Sequence, residues 1–111
     1  AAVAFAPLTT LLPRCSVAVV SGALGGLAAA ITAGVPVVVH PQRVDQSWHA
    51  RRIAELGVGL PARRTKDIGP IAARVASDPT FKERAQALAA RMAGEDGPDA
   101  VLSAVERLVE G

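Results

Sequence analysis

Residues Val17 to Pro41, VAVVSGALGGLAAAITAGVPVVVHP, decide the fold of this 111-residue chain. The segment opens on a short apolar run, Val17 to Val20, the pattern of a strand buried on both faces. Ser21-Gly22-Ala23-Leu24-Gly25-Gly26 then forms a glycine-punctuated turn, and an alanine-rich helix runs to Ala33. Gly34 stops the helix, and after Pro36 comes a second run, Val37-Val38-Val39. Strand, glycine turn, helix, glycine stop and strand make a βαβ unit with an expected right-handed crossover. Such a turn points backbone N–H groups and the positive end of a helix at whatever lies above the sheet, which is a place for an anion, most often a phosphate.

Upstream, Ala2 to Phe5 reads as a strand halted by Pro7. Pro7 to Leu12 reads as a short helical turn with Leu8, Leu11 and Leu12 on one side, and Pro13-Arg14 as a break. Downstream, Gln42 to Gln46 is expected to be a loop at the carboxyl end of a strand, where α/β folds bind ligands. Asp45 is placed to cap a helix from about Gln46 to Leu56, whose inward face takes Trp48, Ile53, Leu56 and the alanines. Gly57 ends that helix. Val58-Gly59-Leu60 adds a strand, Asp67 caps a helix through Ser77, and Asp78-Pro79 starts another. Phe81, Ala85, Leu88, Ala89 and Met92 recur at helical spacing on that helix. Gly94 to Gly97 is a loop, and Pro98 opens a last helix to Val109 with a stripe of Val101, Leu102, Val105, Leu108 and Val109. The inventory is an α/β, Rossmann-like parallel sheet of about four strands with five or six helices on both faces. A doubly wound domain usually has five or six strands. The alternatives are a minimal sheet with an open edge or a domain whose upstream half lies elsewhere, and the second is the expectation.

Composition narrows the function. Half of the residues are hydrophobic, with no Tyr, two Phe and one Trp, so the core is built from small aliphatic side chains. Twelve basic and ten acidic residues give a net charge of +2. No basic run exceeds two, which argues against nucleic acid and against a membrane surface as partner. Cys15 is alone, which excludes an internal disulfide or a thiolate metal site and leaves a packed thiol beside a buried strand. Gly and Pro interrupt every apolar stretch well short of a membrane span. The start, AAVAFAPLTT, lacks a basic leader and reads as a strand end rather than a signal peptide, so the expected location is the cytoplasm.

Pro7, Leu11-Leu12-Pro13, Cys15, the glycine turn, Ala33-Gly34-Val35-Pro36, Pro41, Asp45-Gln46 and Ala50-Arg51-Arg52 occur in an order that resembles one family along nearly the whole chain. It is the carboxyl-terminal part of nucleotide-sugar-dependent glycosyltransferases of the two-Rossmann-domain (GT-B) type. The nearest members would be the bacterial enzymes that decorate antibiotics, macrolides and sterols. The resemblance implies a single partial donor-binding domain, residues 1–111, the latter half of a GT-B carboxyl-terminal domain. It implies a uridine or thymidine diphosphate sugar as donor substrate and no other cofactor. The pyrophosphate would meet Ser21, Gly22, Ala23, Gly25 and Gly26, and the donor sugar would meet Asp45 and Gln46. No catalytic residue is implied, because the acceptor and the base belong to an amino-terminal domain or a partner chain. The chemistry suits that division, since a carboxylate and an amide can hold several hydroxyls while N–H groups hold phosphate oxygens. The sequence departs from the pattern in four places. Ser21 stands for the usual His, Gly22-Ala23 for two glycines, Gly26 for Thr or Ser, and Leu8 for a base-binding Gln. Each hydrogen bond so removed is worth about 1–3 kcal/mol of binding. Backbone donors at Gly22, Gly25 and Gly26 do not depend on them.

The same residues also have plainer roles. The glycines either cradle phosphate or permit close strand–helix packing, and G-x-x-G-G with no acid at His40 argues against an NAD site. Asp45 either binds sugar or caps its helix, and Gln46 is ordinary in a first turn. His40 is expected at a strand end with a backbone partner, and His49 on a helix surface. Trp48 either stacks on a sugar or anchors a core or domain interface. Arg51-Arg52 and Arg63-Arg64 read as solvated charges, with one of the first pair within possible reach of a phosphate. Three functions follow: a donor-binding part of a hexosyltransferase inactive alone, a non-catalytic module of that ancestry with a degenerate nucleotide site, or a small α/β module dimerising through its sheet edge.

Overall fold

A computed structural model describes residues 2–5, 15–94 and 97–110. The expected helical turn at Pro7 to Leu12 and the centre of the Gly94 to Gly97 loop lie outside these residues. Four parallel strands, β1 (Ala2–Phe5), β2 (Cys15–Val20), β3 (Val37–Val39) and β4 (Gly59–Pro61), form one sheet in the order β1-β2-β3-β4. Among the described residues, five helices accompany them: α1 (Leu24–Ala33), α2 (Val44–Leu56), α3 (Thr65–Ser77), α4 (Pro79–Met92) and α5 (Gly97–Glu110).

The valine runs are uninterrupted because both faces of the sheet are covered. Successive side chains alternate between the faces. Ala18, Val20, Val37 and Val39 pack with Leu27 and Ile31 of α1, Ile53 of α2, Leu88 of α4 and Val105 and Val109 of α5. Val17, Val19 and Val38 face the other way, against Ala72 and Val75 of α3 and Phe81 of α4. Both crossover helices, α1 and α2, lie on one face, as expected when each step moves one strand along in a constant sense. After β4 the described chain passes to the opposite face, where α3 runs back over β2 and β3.

Helix ends follow local chemistry, with corrections to the sequence reading. Gly34 and Gly57 end α1 and α2 in the left-handed conformation, at φ of 71° and 74°. The Asp78 side chain caps α4 by accepting from the Thr80 N–H at 3.0 Å. Asp45 and Asp67 do not cap. The helices begin earlier, at Val44 and Thr65, so each carboxylate sits in the first turn, and the N-cap positions are Arg43 and Arg64 with no side-chain bond. There the acids still complement the helix dipole. β4 is displaced one residue from the expected Val58 to Leu60, because the Val58 N–H closes the end of α2 on the Ile53 carbonyl. Leu102, expected in the α5 stripe, is 39% exposed, while Ala104 is buried in its place.

Two predictions follow from this packing. A Cβ at Gly59 would fall on the Val37 carbonyl oxygen and within 2.9 Å of Ile53 Cγ2, whereas one at Gly69 meets nothing within 4 Å. Gly59→Ala should therefore cost more than about 3 kcal/mol in chemical denaturation. Gly69→Ala should add up to about 1 kcal/mol through helix propensity. The Asp78 carboxyl is held below its usual 3.8, first by the Thr80 hydroxyl and then by the Thr80 N–H. Its contribution is thus complete above the unfolded value and is lost as pH falls through the lower folded one. A carboxyl titration followed by NMR should place the Asp78 midpoint below those of free aspartates, and Asp78→Asn should keep the cap without the acid dependence.

Candidate functional site

The parallel register brings three strand ends together. The His40 N–H donates to the Val20 carbonyl and the Ala62 N–H to the Val39 carbonyl, each at 2.8 Å. Ser21, His40 and Ala62 consequently stand side by side at the carboxyl edge of the sheet, which is where open α/β sheets bind ligands.

Gly22 makes the exit from β2. Its φ is 98°, a conformation side-chain-bearing residues rarely adopt. A Cβ there would lie 3.0 Å from the Gln46 carbonyl oxygen and 3.1 Å from both Gln46 Cβ and Val39 Cγ1. The glycine thus lets α2 close on the turn. Its carbonyl accepts a 2.7 Å hydrogen bond from His49 Nδ1, which must carry the ring proton because a carbonyl only accepts.

Gly25 and Gly26, expected within the turn, are instead the second and third residues of α1. The N–H groups of Leu24, Gly25 and Gly26 have no intrahelical acceptor, because the first i→i−4 bond is from Leu27 to Ala23, at 3.1 Å. Ala23 provides no side-chain cap, and no acidic residue lies in the first turn. Gly25 is exposed, with open space where a side chain would go. The end of α1 thus presents backbone donors and positive dipole charge without a carboxylate against it. Ser21 Oγ accepts a long bond, 3.4 Å, from the Ala23 N–H.

Gln46 and Asp45, adjacent in sequence, have different surroundings. Gln46 is buried against Gly22, and its Oε1 accepts from the Gln42 N–H at 2.8 Å, leaving only the amide NH₂ uncommitted. The Gln42 side chain in turn donates to the His40 carbonyl at 3.3 Å, and His40 Nδ1 donates to the Ala62 carbonyl at 2.7 Å. His40 therefore has the backbone partner expected of it, and the chain bracing the strand ends runs Gln46, Gln42, His40, Ala62. Asp45 is exposed and lies 3.4 Å from Arg43 Nε, a solvated pair of little energetic weight.

α2 corrects three expectations. His49, expected on the surface, is 5% exposed, and Trp48, given an inward position, is 58% exposed. Gln46, His49, Ala50 and Ile53 are the buried residues of α2, an i, i+3, i+4, i+7 stripe that puts Trp48 and Val44 on the opposite side. The apolarity of Trp48 misleads, whereas the phase of Ala50 and Ile53 was the usable signal for His49. Arg52 is not solvated: its Nε donates to the Leu108 carbonyl at 2.9 Å and ties α5 to α2. On the outer side of α2, a surface groove of about 660 Å³ is lined by Pro41, Val44, Trp48, Arg51, Pro61 and Arg63. Arg51 stacks over Trp48 there, 5.7 Å from the ring centroid. None of the residues Ser21 to Gly26, nor Asp45 or Gln46, lines it. Leu8 and the Cys15 side chain lie outside the described residues. Among those described, no cluster of metal-ligating side chains occurs, and no helix is long and apolar enough to cross a membrane.

Residues 1–108 match the family model described as erythromycin biosynthesis protein CIII-like, C-terminal domain. The chain belongs to this family. It is 29% identical over 113 residues to the aclacinomycin-T 2-deoxy-L-fucose transferase of Streptomyces galilaeus, an alignment covering 96% of this chain and 26% of that protein. It is 30% identical over 101 residues to a sterol 3-beta-glucosyltransferase of Vanderwaltozyma polyspora, covering 89% of this chain and 8% of that protein. A structure of the Streptomyces sp. SF2575 glycosyltransferase SsfS6 complexed with thymidine diphosphate superposes with a TM-score of 0.72 at 27% identity, covering 92% of this chain and 28% of that one. The family likeness and the fold together correspond to the carboxyl-terminal part of GT-B glycosyltransferases. The chain spans about a quarter of the length of the first of these relatives.

The brace at the strand ends can be tested by itself. Gln46→Leu should remove the acceptor of the Gln42 N–H and cost about 1 kcal/mol in denaturant melts, the net worth of one part-buried hydrogen bond. Gln46→Glu, which keeps an acceptor at Oε1, should lose less than half of that.

Proposed function

We propose that this chain is the donor-nucleotide-binding portion of a glycosyltransferase that moves a hexose from a nucleoside diphosphate sugar to a small hydroxylated acceptor. The acceptor and its general base would be supplied by a separate domain or chain, so the portion alone is inactive. The observation that carries the reading is the amino-terminal end of α1. It lies at the carboxyl edge of a parallel sheet, has three amides without intrahelical acceptors, has no capping side chain and is open at Gly25. The relative SsfS6, solved with thymidine diphosphate, supports a diphosphate as the anion. Ser21, Gly22, Ala23, Gly25 and Gly26 take the pyrophosphate in this reading. Asp45 and the free NH₂ of Gln46 take the sugar hydroxyls, Asp45 by exchanging its weak pairing with Arg43.

Gly25 gives a test that separates binding from folding. A Cβ at this second helical position meets nothing within 4 Å and a carboxylate there suits the helix dipole, so Gly25→Glu should melt at or above the wild-type temperature. The same carboxylate would oppose a diphosphate at close range. Calorimetric titration with thymidine or uridine diphosphate should show micromolar binding by the wild type, weakened roughly a hundredfold by Gly25→Glu. A wild type silent at millimolar nucleotide would instead identify a module that keeps the scaffold and has lost the site.

A further inference from the structure

Glycine at position 22 solves a steric problem and creates a conformational one. Without a Cβ the residue can leave β2 at φ 98° beneath α2. A residue that is permissive on its own account does not hold a peptide plane in place, so the hold has to come from outside it. His49 supplies it. The ring is buried on the inward stripe of α2, and its Nδ1–H meets the Gly22 carbonyl at 2.7 Å. On the ring's other edge Nε2 faces Glu110 Oε1 at 3.8 Å. The last turn of α5 that carries Glu110 is fastened to α2 by Arg52 on the Leu108 carbonyl.

The Gly22–Ala23 peptide is planar and trans, so its C=O and N–H point in opposite directions. A carbonyl fixed toward buried His49 turns the Ala23 N–H away from that ring, and Ala23 itself is exposed. Its N–H has only the 3.4 Å contact to Ser21 Oγ, long for such a bond and open to exchange for a stronger acceptor. We propose that His49 is a positioning residue for anion binding: by holding the Gly22 carbonyl it orients the Ala23 N–H to join the free amides at the start of α1 in taking a diphosphate. The inference rests on the reading of that helix end as the diphosphate site. His49 itself touches no ligand and acts through one peptide group.

Asparagine places its amide nitrogen at the branch position of Nδ1 and keeps a donor, whereas leucine keeps much of the volume and has none. Three measurements on the whole chain test the proposal: the His49 tautomer from long-range ¹H–¹⁵N spectra, the amide resonances of Ala23 to Gly26 without nucleotide, and the affinity for thymidine diphosphate. We expect an Nδ1–H tautomer in the wild type. His49→Leu should displace or broaden the Ala23 to Gly26 amides and weaken binding about tenfold, the equivalent of one hydrogen bond. His49→Asn should stay within about threefold of the wild type. An Nε2–H tautomer cannot donate to Gly22 and would overturn the proposal even if no variant folded. Amides undisturbed by His49→Leu would overturn it as well. Displaced amides in a protein whose wild type binds no nucleotide would sink the donor-site reading while leaving the hold of His49 on the peptide established.

Discussion

The close approach of α2 to Gly22 is the constraint on which the carboxyl edge of the sheet depends. Two helices must begin there within a few residues of their strands, and the start of α2 crosses the exit of β2 with no room for a Cβ between them. The crossing succeeds because the glycine takes a positive φ, the Gln46 backbone packs over it, and His49 takes its carbonyl. Each contact uses a different part of the turn: Cα, φ and C=O. The peptide that results is satisfied on its buried side, and its neighbouring amides are left toward solvent. A close-packed interior leaves little slack for adjusting such a junction. The junction is therefore where the inward face of α2 and the open end of α1 become one structural question.

Much of this was legible in the residues. The valine runs, the glycine stops at Gly34 and Gly57 and the Asp78-Pro79 start all follow from local rules that tertiary structure did not override. What was not legible depends on which side of a helix faces in. Trp48 outweighs its neighbours in any apolar reading of α2, yet one large side chain does not set a phase when Ala50 and Ile53 set another. With the phase taken from those two residues, Gln46 and His49 fall inside, and their polar atoms need partners that the sequence does not name. Gly22 and Gln42 supply those partners, 27 and 4 residues away. Helix starts were misplaced for a related reason. Asp45 and Asp67 have the right chemistry for a cap, but a first-turn acid is nearly as favourable, and local sequence does not decide between the two positions.

On the proposed reading, the departures at Ser21, Gly26 and Leu8 from the resembled pattern weaken or remove side-chain donors, and they bear on affinity more than on architecture. Recognition by backbone amides depends on where the chain runs, and that is set at Gly22, Gln46 and His49, none of which is itself an altered position. On the proposed reading the site has exchanged part of its side-chain chemistry for reliance on main-chain geometry, which makes the exact placement of each amide more consequential.

Two glycines of the same turn therefore carry different meanings. Gly22 is required by packing, with Gln46 and Val39 occupying the space a side chain would need, and its presence says nothing about a ligand. Gly25 is required by nothing among the described residues: its backbone is ordinary helix, its Cβ direction is open, and a glycine in a helix costs about 1 kcal/mol relative to alanine. An unneeded glycine is not a site by itself, as Gly69 shows from the fifth position of α3, equally open but past the first turn. What distinguishes Gly25 is its place in the first turn of a helix without a cap, where a side chain would stand over amides that have no other partner. On the proposed reading, the reason for the glycine lies outside the polypeptide, in a diphosphate that comes close to the backbone at that point.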